Sequence, residues 1–321
     1  MNADGSLPGT KTAFISHFDC SRHDPGWGHP EHQGRLPSLM RAVYAAMPEL
    51  FGVLDEVSGR HATETELRLF HTDEYLRRVR GWAVEAETAG RPVQIAPGLM
   101  VSAASWDASL AAVGSVLVGI DAVVGGTARN AFCAIRPPGR DSSPAAPGRF
   151  GFLNPIAVAA RAALAVSGID RVLAIEWGSL TSSSHGPLSQ DSSIRVARIG
   201  ALTAGSEPGQ RAFEVSLPPG SDGSRFQLAL VALLTEATAD FRPDLMLLSA
   251  GFDLLRGDPL GSLALTPADY YRATLEVVER AGRISGGRIV SVLEGGYDAR
   301  GLGAAAVQHL RALSGLPLRA R

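Results

Sequence analysis

Val172-Leu173-Ala174-Ile175 running into Glu176, Leu245-Met246-Leu247-Leu248 running on to Asp253, and Ile289-Val290-Ser291-Val292 running into Glu294-Gly295-Gly296-Tyr297 are the stretches that decide the fold of this chain. Each is a near-continuous apolar run closed by an acidic or Gly-rich turn. Strands of a parallel sheet covered by helices read this way, because neither face meets water. In open α/β sheets, polar side chains just past the carboxyl ends of such strands share one crevice. Glu176, Asp253 and Tyr297, remote in sequence, are therefore expected to converge.

Working outward, apolar periodicity supplies the partners of these strands. Residues 12–16 read as a strand, followed by a His-, Gly- and Pro-rich loop at 17–34. A helix at 35–47 then places Leu36, Leu39, Ala42, Val43 and Ala46 on one face. Further helices are expected at 64–70, 72–87, 104–124, 154–167, 226–240, 266–281 and 303–314, with a short strand at 131–135 and a polar loop at 181–193. The 104–124 segment is rich in Ala and Val and apolar all round, as a helix packed on both sides is. This alternation predicts a parallel α/β sheet with helices on both faces.

No linker, low-complexity tract or repeat divides the 321 residues, so one domain over 1–321 is expected, with 1–11 as a flexible N-terminus. Hydrophobic content of 45% beside 19% charged residues is ordinary for a globular protein. A formal net charge of -2 leaves no basic footprint for nucleic acid or an anionic membrane. Residues 1–10 are polar, which argues against a signal peptide or anchor, and no stretch is expected to cross a bilayer. Cys20 and Cys133 form no CxxC pair, which suits free thiols in a cytoplasmic chain. Lys11 is the only lysine; with abundant Ala and Gly, that bias suggests a bacterial genome of high G+C content.

A set of motifs then occurs in order: Gly28-His29-Pro30-Glu31 with Arg35, Phe70-His71-Thr72-Asp73-Glu74-Tyr75-Leu76, Arg136-Pro137-Pro138-Gly139 and Gly151-Phe152. Ser249-Ala250-Gly251-Phe252-Asp253, Arg256-Gly257-Asp258-Pro259-Leu260-Gly261 and Leu293-Glu294-Gly295-Gly296-Tyr297 complete it. Read together over residues 13–312, they resemble the histone deacetylase and acetylpolyamine amidohydrolase family. The resemblance implies the arginase/deacetylase-like α/β fold, a three-layer αβα arrangement with a mostly parallel central sheet of about eight strands. It also implies amide hydrolysis on a zinc ion held by two aspartates and a histidine. A pair of adjacent histidines would transfer protons and a tyrosine would donate to the developing oxyanion. By the same resemblance, Asp253 matches a zinc ligand and Tyr297, in its turn of Gly295 and Gly296, the oxyanion tyrosine. Phe152 matches a wall of the acyl-lysine tunnel, and Asp73 with Glu74 matches the acid at its rim.

The departures are as informative. Where the family has Asp-x-Asp-x-His-His-Gly, this chain reads Glu176-Trp177-Gly178-Ser179-Leu180-Thr181-Ser182. Gly178 replaces a zinc aspartate and Leu180 the zinc histidine, and neither side chain has a lone pair to give. Arg140 and Asp141 replace the histidine pair. Arginine stays protonated, so it cannot serve as a general base. The 151–155 segment is also shorter than the family pattern. These replacements predict a pseudoenzyme. A vacated zinc site would bury Asp253 and Glu176 with no cation, at considerable cost. Arg140 is expected to take the cation's place by pairing with Glu176, Asp253 or both.

Other residues keep two readings. Tyr297 faces either a pocket or the core, and Asp73 is either a rim acid or a charge at a helix N-terminus. His29 reads as a hydrogen-bonded histidine of its turn, and His17, His23 and His32 are loop histidines or weak metal ligands. His185 is an exposed loop residue or a substitute ligand beside Asp253, and Ser182-Ser183-Ser184 is a turn or a nucleophile. The function expected is that of a catalytically inactive binding or regulatory protein without a cofactor. Its partner would be a small acylated ligand or a protein, with no nucleic acid and no membrane, and its assembly state is open. The alternative is a zinc-dependent amidohydrolase of acetylated amines, with a rearranged site on Asp253, Glu176 and His185.

Overall fold

Apolar side chains that offer water no polar face put the sheet at the centre of the molecule. The computed structural model describes residues 9–180, 188, 190–202 and 213–319. Its strands are β1 (Thr12–Ser16), β2 (Leu54–Ser58), β3 (Val93–Ala96), β4 (Leu99–Val101), β5 (Asn130–Cys133), β6 (Val172–Leu180), β7 (Ile194–Leu202), β8 (Glu214–Ser216), β9 (Leu245–Ala250) and β10 (Ile289–Leu293). Its helices are α1 (Arg35–Ala45), α2 (Met47–Leu50), α3 (Glu64–Leu67), α4 (Asp73–Ala89), α5 (Ser105–Val124), α6 (Pro155–Leu164), α7 (Gly223–Ala237), α8 (Pro267–Ile284) and α9 (Ala299–Leu313). Residues 1–8, most of the expected flexible N-terminus, and His185 lie outside the described residues.

The main sheet has eight strands in the order β2-β1-β5-β10-β9-β6-β7-β8, every neighbouring pair parallel, while β3 and β4 form a separate antiparallel pair. Every residue of β5, β6, β9 and β10 is buried, which explains their mostly apolar sequences. The chain jumps from β5 to β6 and later fills the gap with β9 and β10. α5 lies across β1, β5 and β10 and packs on α6, whereas α1, α9, α8 and α7 follow one another across the other face. Side-chain alternation along a strand separates the two layers. On β5, Cys133 points at Gly119 of α5, and its neighbour Phe132 meets His309 of α9 with ring centres 5.0 Å apart.

Caps set the helix starts. The Asn154 side chain accepts from Ala157 N–H at the head of α6, with Pro155 at the first helical position, and Asp298 accepts from Gly301 N–H at the head of α9.

Three sequence expectations change here. β6 does not stop at Glu176 but runs on to Leu180. β7 and β2 were not foreseen, because Arg195 and Arg198 interrupt the apolar run of one and the other carries charges at exposed positions. α5 is long and apolar enough to cross a membrane by length and composition, against the expectation that no stretch is; two thirds of its apolar window is buried against the sheet and α6.

Candidate functional site

The four adjacent strands β5, β10, β9 and β6 end on the same side of the sheet, and their carboxyl-end loops build one crevice. Arg140 comes from the loop after β5, Ser179 from the end of β6, Asp253 from beyond β9, and Glu294 and Tyr297 from beyond β10. All five line a cavity of about 30 Å3. That is room for a water molecule or two and too little for an acyl chain.

Arg140 organises this space. Asn154 Nδ2 pins its backbone by donating to the carbonyls of Arg140 (3.0 Å) and Ser142 (2.9 Å). The guanidinium donates through Nη1 to Trp177 O (2.8 Å) and through Nη2 to Ser179 O (2.9 Å). Those carbonyls flank Gly178, so the guanidinium lies against the glycine backbone. A Cβ on Gly178 would stand 2.5 Å from Nη2, 2.7 Å from Nη1 and 2.9 Å from Asp253 Oδ1. Gly178 also has φ of 144°, which L side chains rarely adopt. Glycine is required here twice, for its conformation and for the space it leaves.

Asp253 Oδ2 accepts from the Ser179 N–H (3.1 Å), and its buried Oδ1 has no hydrogen-bond partner among the described residues. Gly295 permits the close approach of the next turn, since a Cβ there would stand 2.7 Å from Asp253 Cγ. Burial opposes the charge of Arg140, but Asp141, Glu176, Asp253 and Glu294 around it outweigh that and push its pKa above the ordinary arginine value. Glu294 is fully enclosed and accepts from the N–H groups of Gly139 (3.1 Å) and Arg140 (3.4 Å). Burial raises its pKa to about 8, against the pull of Arg140.

A second buried network holds the crevice from behind. Arg35 donates to Gly296 O and Glu294 O, both at 2.6 Å, and to Glu31 Oε1, also at 2.6 Å. Arg136 clamps both oxygens of Glu31 at 2.7 Å. The Arg35 guanidinium carbon sits 4.8 Å from the centre of the Tyr297 ring. Burial raises the Tyr297 hydroxyl pKa above the ordinary tyrosine value.

The structure thus brings together Asp253, Tyr297, Arg140, Asp141, Gly178 and Gly295, with Gly296 in the supporting turn. It places other candidates elsewhere. Glu176 sits within β6, not at its end, and its Oε2 accepts from Arg198 Nε (2.7 Å) on the neighbouring strand, where the register pairs the two residues. The same Arg198 reaches Glu214 Oε2 (2.8 Å) on β8. Arg140 makes no ion pair with Glu176 or Asp253 among the described residues; its donors go to the strand-end carbonyls, and it acts on the carboxylates through its field. Phe152 does not line the cavity. It is fully buried, its carbonyl accepting from Tyr75 Oη (2.7 Å), and Phe150 lines the cavity beside Tyr297 with ring centres 5.5 Å apart. Asp73 heads α4 away from the crevice, paired with Arg68 Nε at 2.5 Å. Leu180 is buried at the end of β6. Sequence reasoning missed Glu294, Ser179 and Phe150 as cavity residues. Glu294 alone carried a signal, as an acid between an apolar strand and a Gly-Gly turn.

The described donors do not fit a zinc ion. Asp253 offers one carboxylate, Gly178 and Leu180 offer nothing, and a guanidinium occupies the space against Gly178.

Known proteins place this arrangement in context. The model of the histone deacetylase domain matches residues 29–178 and 199–313, breaking off at Gly178 and resuming beyond it. The polyamine deacetylase HDAC10 of Homo sapiens is 28% identical over 95% of this chain, which spans only 48% of that longer protein. The histone deacetylase-like amidohydrolase of Pseudomonas aeruginosa is 30% identical over 84% of this chain and 72% of its own length. The solved HDA15 HD domain superposes with a TM-score of 0.83 at 25% identity, covering 95% of this chain and 91% of that one.

Proposed function

The chain belongs to the histone deacetylase family, and from that premise we propose that it is a binding or regulatory member whose own crevice does not hydrolyse amides. The observation that carries this reading is the Arg140 guanidinium lodged against the Gly178 backbone, where a Cβ would meet both it and Asp253. It supplies positive charge to the crevice, as a metal would. It has no vacant orbital to polarise a carbonyl or acidify a bound water, and it holds its proton too tightly to act as a base. Tyr297 and the protonated form of Glu294 can donate hydrogen bonds, but donors alone do not generate a nucleophile.

A cavity of about 30 Å3 supports a partner met at the rim of the crevice, a small acylated ligand or a protein surface, and not an acyl-lysine chain threaded inside. The proposal includes no cofactor in the crevice and a cytoplasmic setting. A second reading, a zinc-dependent amidohydrolase with a rebuilt metal site, draws on the activities named for the relatives and on Asp253 Oδ1, which has no hydrogen-bond partner among the described residues. One assay separates them. The full chain supplied with zinc is incubated with acetyl-lysine peptides and acetylated polyamines. Turnover no greater than that of zinc alone is expected; turnover that disappears in Asp253→Asn would overturn the inactive reading.

A further inference from the structure

At the outer part of the sheet, β1 and β2 are parallel neighbours in register from Thr12↔Leu54 to Ser16↔Ser58. Each is followed at its carboxyl end by a histidine, His17 directly and His61 just after Gly59, whose N–H donates to Ser16 O (2.8 Å). The two imidazole rings lie 5.0 Å apart between centres. Asp19, in the 3-10 turn Phe18–Ser21, sits against both: its Oδ2 is 2.7 Å from His61 Nε2 and 3.7 Å from His17 Nδ1. One ligand atom from each residue lies within 4.8 Å of the other two, the one such cluster of three among the described residues.

We propose that His17, Asp19 and His61 form a surface site for a divalent transition-metal ion of the zinc class, separate from the deacetylase crevice. Two imidazoles and a carboxylate are the donors such ions take, and three protein ligands leave a coordination position for water. Without the ion, the ligands hold one another through protons. His61 Nε2–H bonds Asp19 Oδ2, and the Asp19 backbone N–H donates to His17 Nδ1 (3.1 Å). The metal takes the place of the proton on His61 Nε2, which passes to Nδ1 or to solvent so that the ring ligates as neutral imidazole, and it competes with the Asp19 N–H for the lone pair of His17 Nδ1.

Arg22 completes the arrangement from outside. Its Nη1 donates to Asp19 Oδ1 (2.9 Å), leaving Oδ2 turned towards the histidines, as outer partners of metal ligands do. That hydrogen bond is also the chief reason the Asp19 pKa lies below the ordinary carboxylate value, and a metal ligand must be deprotonated. The three side chains are 25%, 14% and 39% exposed for His17, Asp19 and His61, so an ion has an open path in.

The test uses the full chain, stripped by chelator and titrated with Co2+, whose visible d–d absorption reports a low-coordinate site; Zn2+ then displaces it. Saturable binding of one ion per chain is expected. His61→Ala and Asp19→Asn should each weaken it by more than about 100-fold, beyond the loss from an outer partner alone. His61→Gln, which keeps a hydrogen bond to Asp19, should bind no better than His61→Ala, whereas a purely structural role would be rescued. Thermal unfolding of each variant checks that it folds, which the exposure of His61 favours. No cobalt binding, or binding that His61→Ala leaves intact, overturns the proposal. Binding that follows Asp253→Asn instead would assign the ion to the crevice and overturn the inactive reading as well.

Discussion

Gly178 and Arg140 explain one another. The glycine leaves the space the guanidinium fills, and the guanidinium holds the carbonyls on either side of the glycine. Gly178→Asp restores a carboxylate beside Asp253, yet its Cβ overlaps Arg140 and its backbone is strained at this φ. Urea unfolding should show a loss of about 2 kcal/mol or more. Combining it with Arg140→His should recover part of that loss, with a coupling above about 0.5 kcal/mol in the double-mutant cycle. Strict additivity would mean the two positions are not in steric contact. Arg140→Ala leaves the surrounding carboxylates without their central cation and should cost about 3 kcal/mol, the scale of a broken buried charge network. An unchanged unfolding midpoint would show that the guanidinium stabilises nothing.

At the scale of elements, β6, β7 and β8 are riveted by Glu176, Arg198 and Glu214, whose side chains are no more than 4% exposed. Arg198→Ala removes the cation between two buried carboxylates and should cost about 3 to 5 kcal/mol. Arg198→Met with Glu176→Gln and Glu214→Gln, which removes the charges together, should cost markedly less; equal losses in denaturant unfolding would contradict the charge argument. The same strands show where sequence reading weakens. β9 and β10 were legible because every position is apolar or small, and burial follows from that locally. β7 was not, because Arg195 and Arg198 interrupt its apolar pattern and the partner that lets Arg198 be buried belongs to another strand. Glu176 was misplaced for the same reason. An acid after an apolar run reads as a strand end until the arginine opposite it is known.

At the scale of the whole molecule, buried titratable groups shape stability against pH. Burial lowers His23 and His71 to about 4 and His309 to about 3. The unfolded chain protonates these near pH 6.5, before the native protein does, so stability is intact above that pH and falls as pH drops from 6.5 towards about 4. Each fully engaged proton contributes a slope of about 1.4 kcal/mol per pH unit. Glu294, raised to about 8, acts in the opposite sense: the unfolded chain releases its proton from about pH 4.5 upwards and the native protein only near 8, so stability falls as pH rises across that interval. Urea unfolding from pH 4 to 8.5 should therefore show a maximum near pH 6.5. Glu294→Gln should flatten the alkaline side and leave the acid side steep. His309→Gln should reduce the acid slope by up to one proton, and an unchanged slope would mean that His309 is not buried neutral. The sequence alone determined the family, the parallel sheet and the identities at 140, 178, 180 and 253, since motif order and the donors on a side chain are covalent facts. Only the tertiary structure decided that Arg140 bonds carbonyls 37 and 39 residues away, that Glu176 turns to Arg198, and that Phe150 stands where Phe152 was expected. Apolar periodicity reports local burial, whereas the partner of a buried polar group is chosen by strand register and loop closure among residues far apart in the chain.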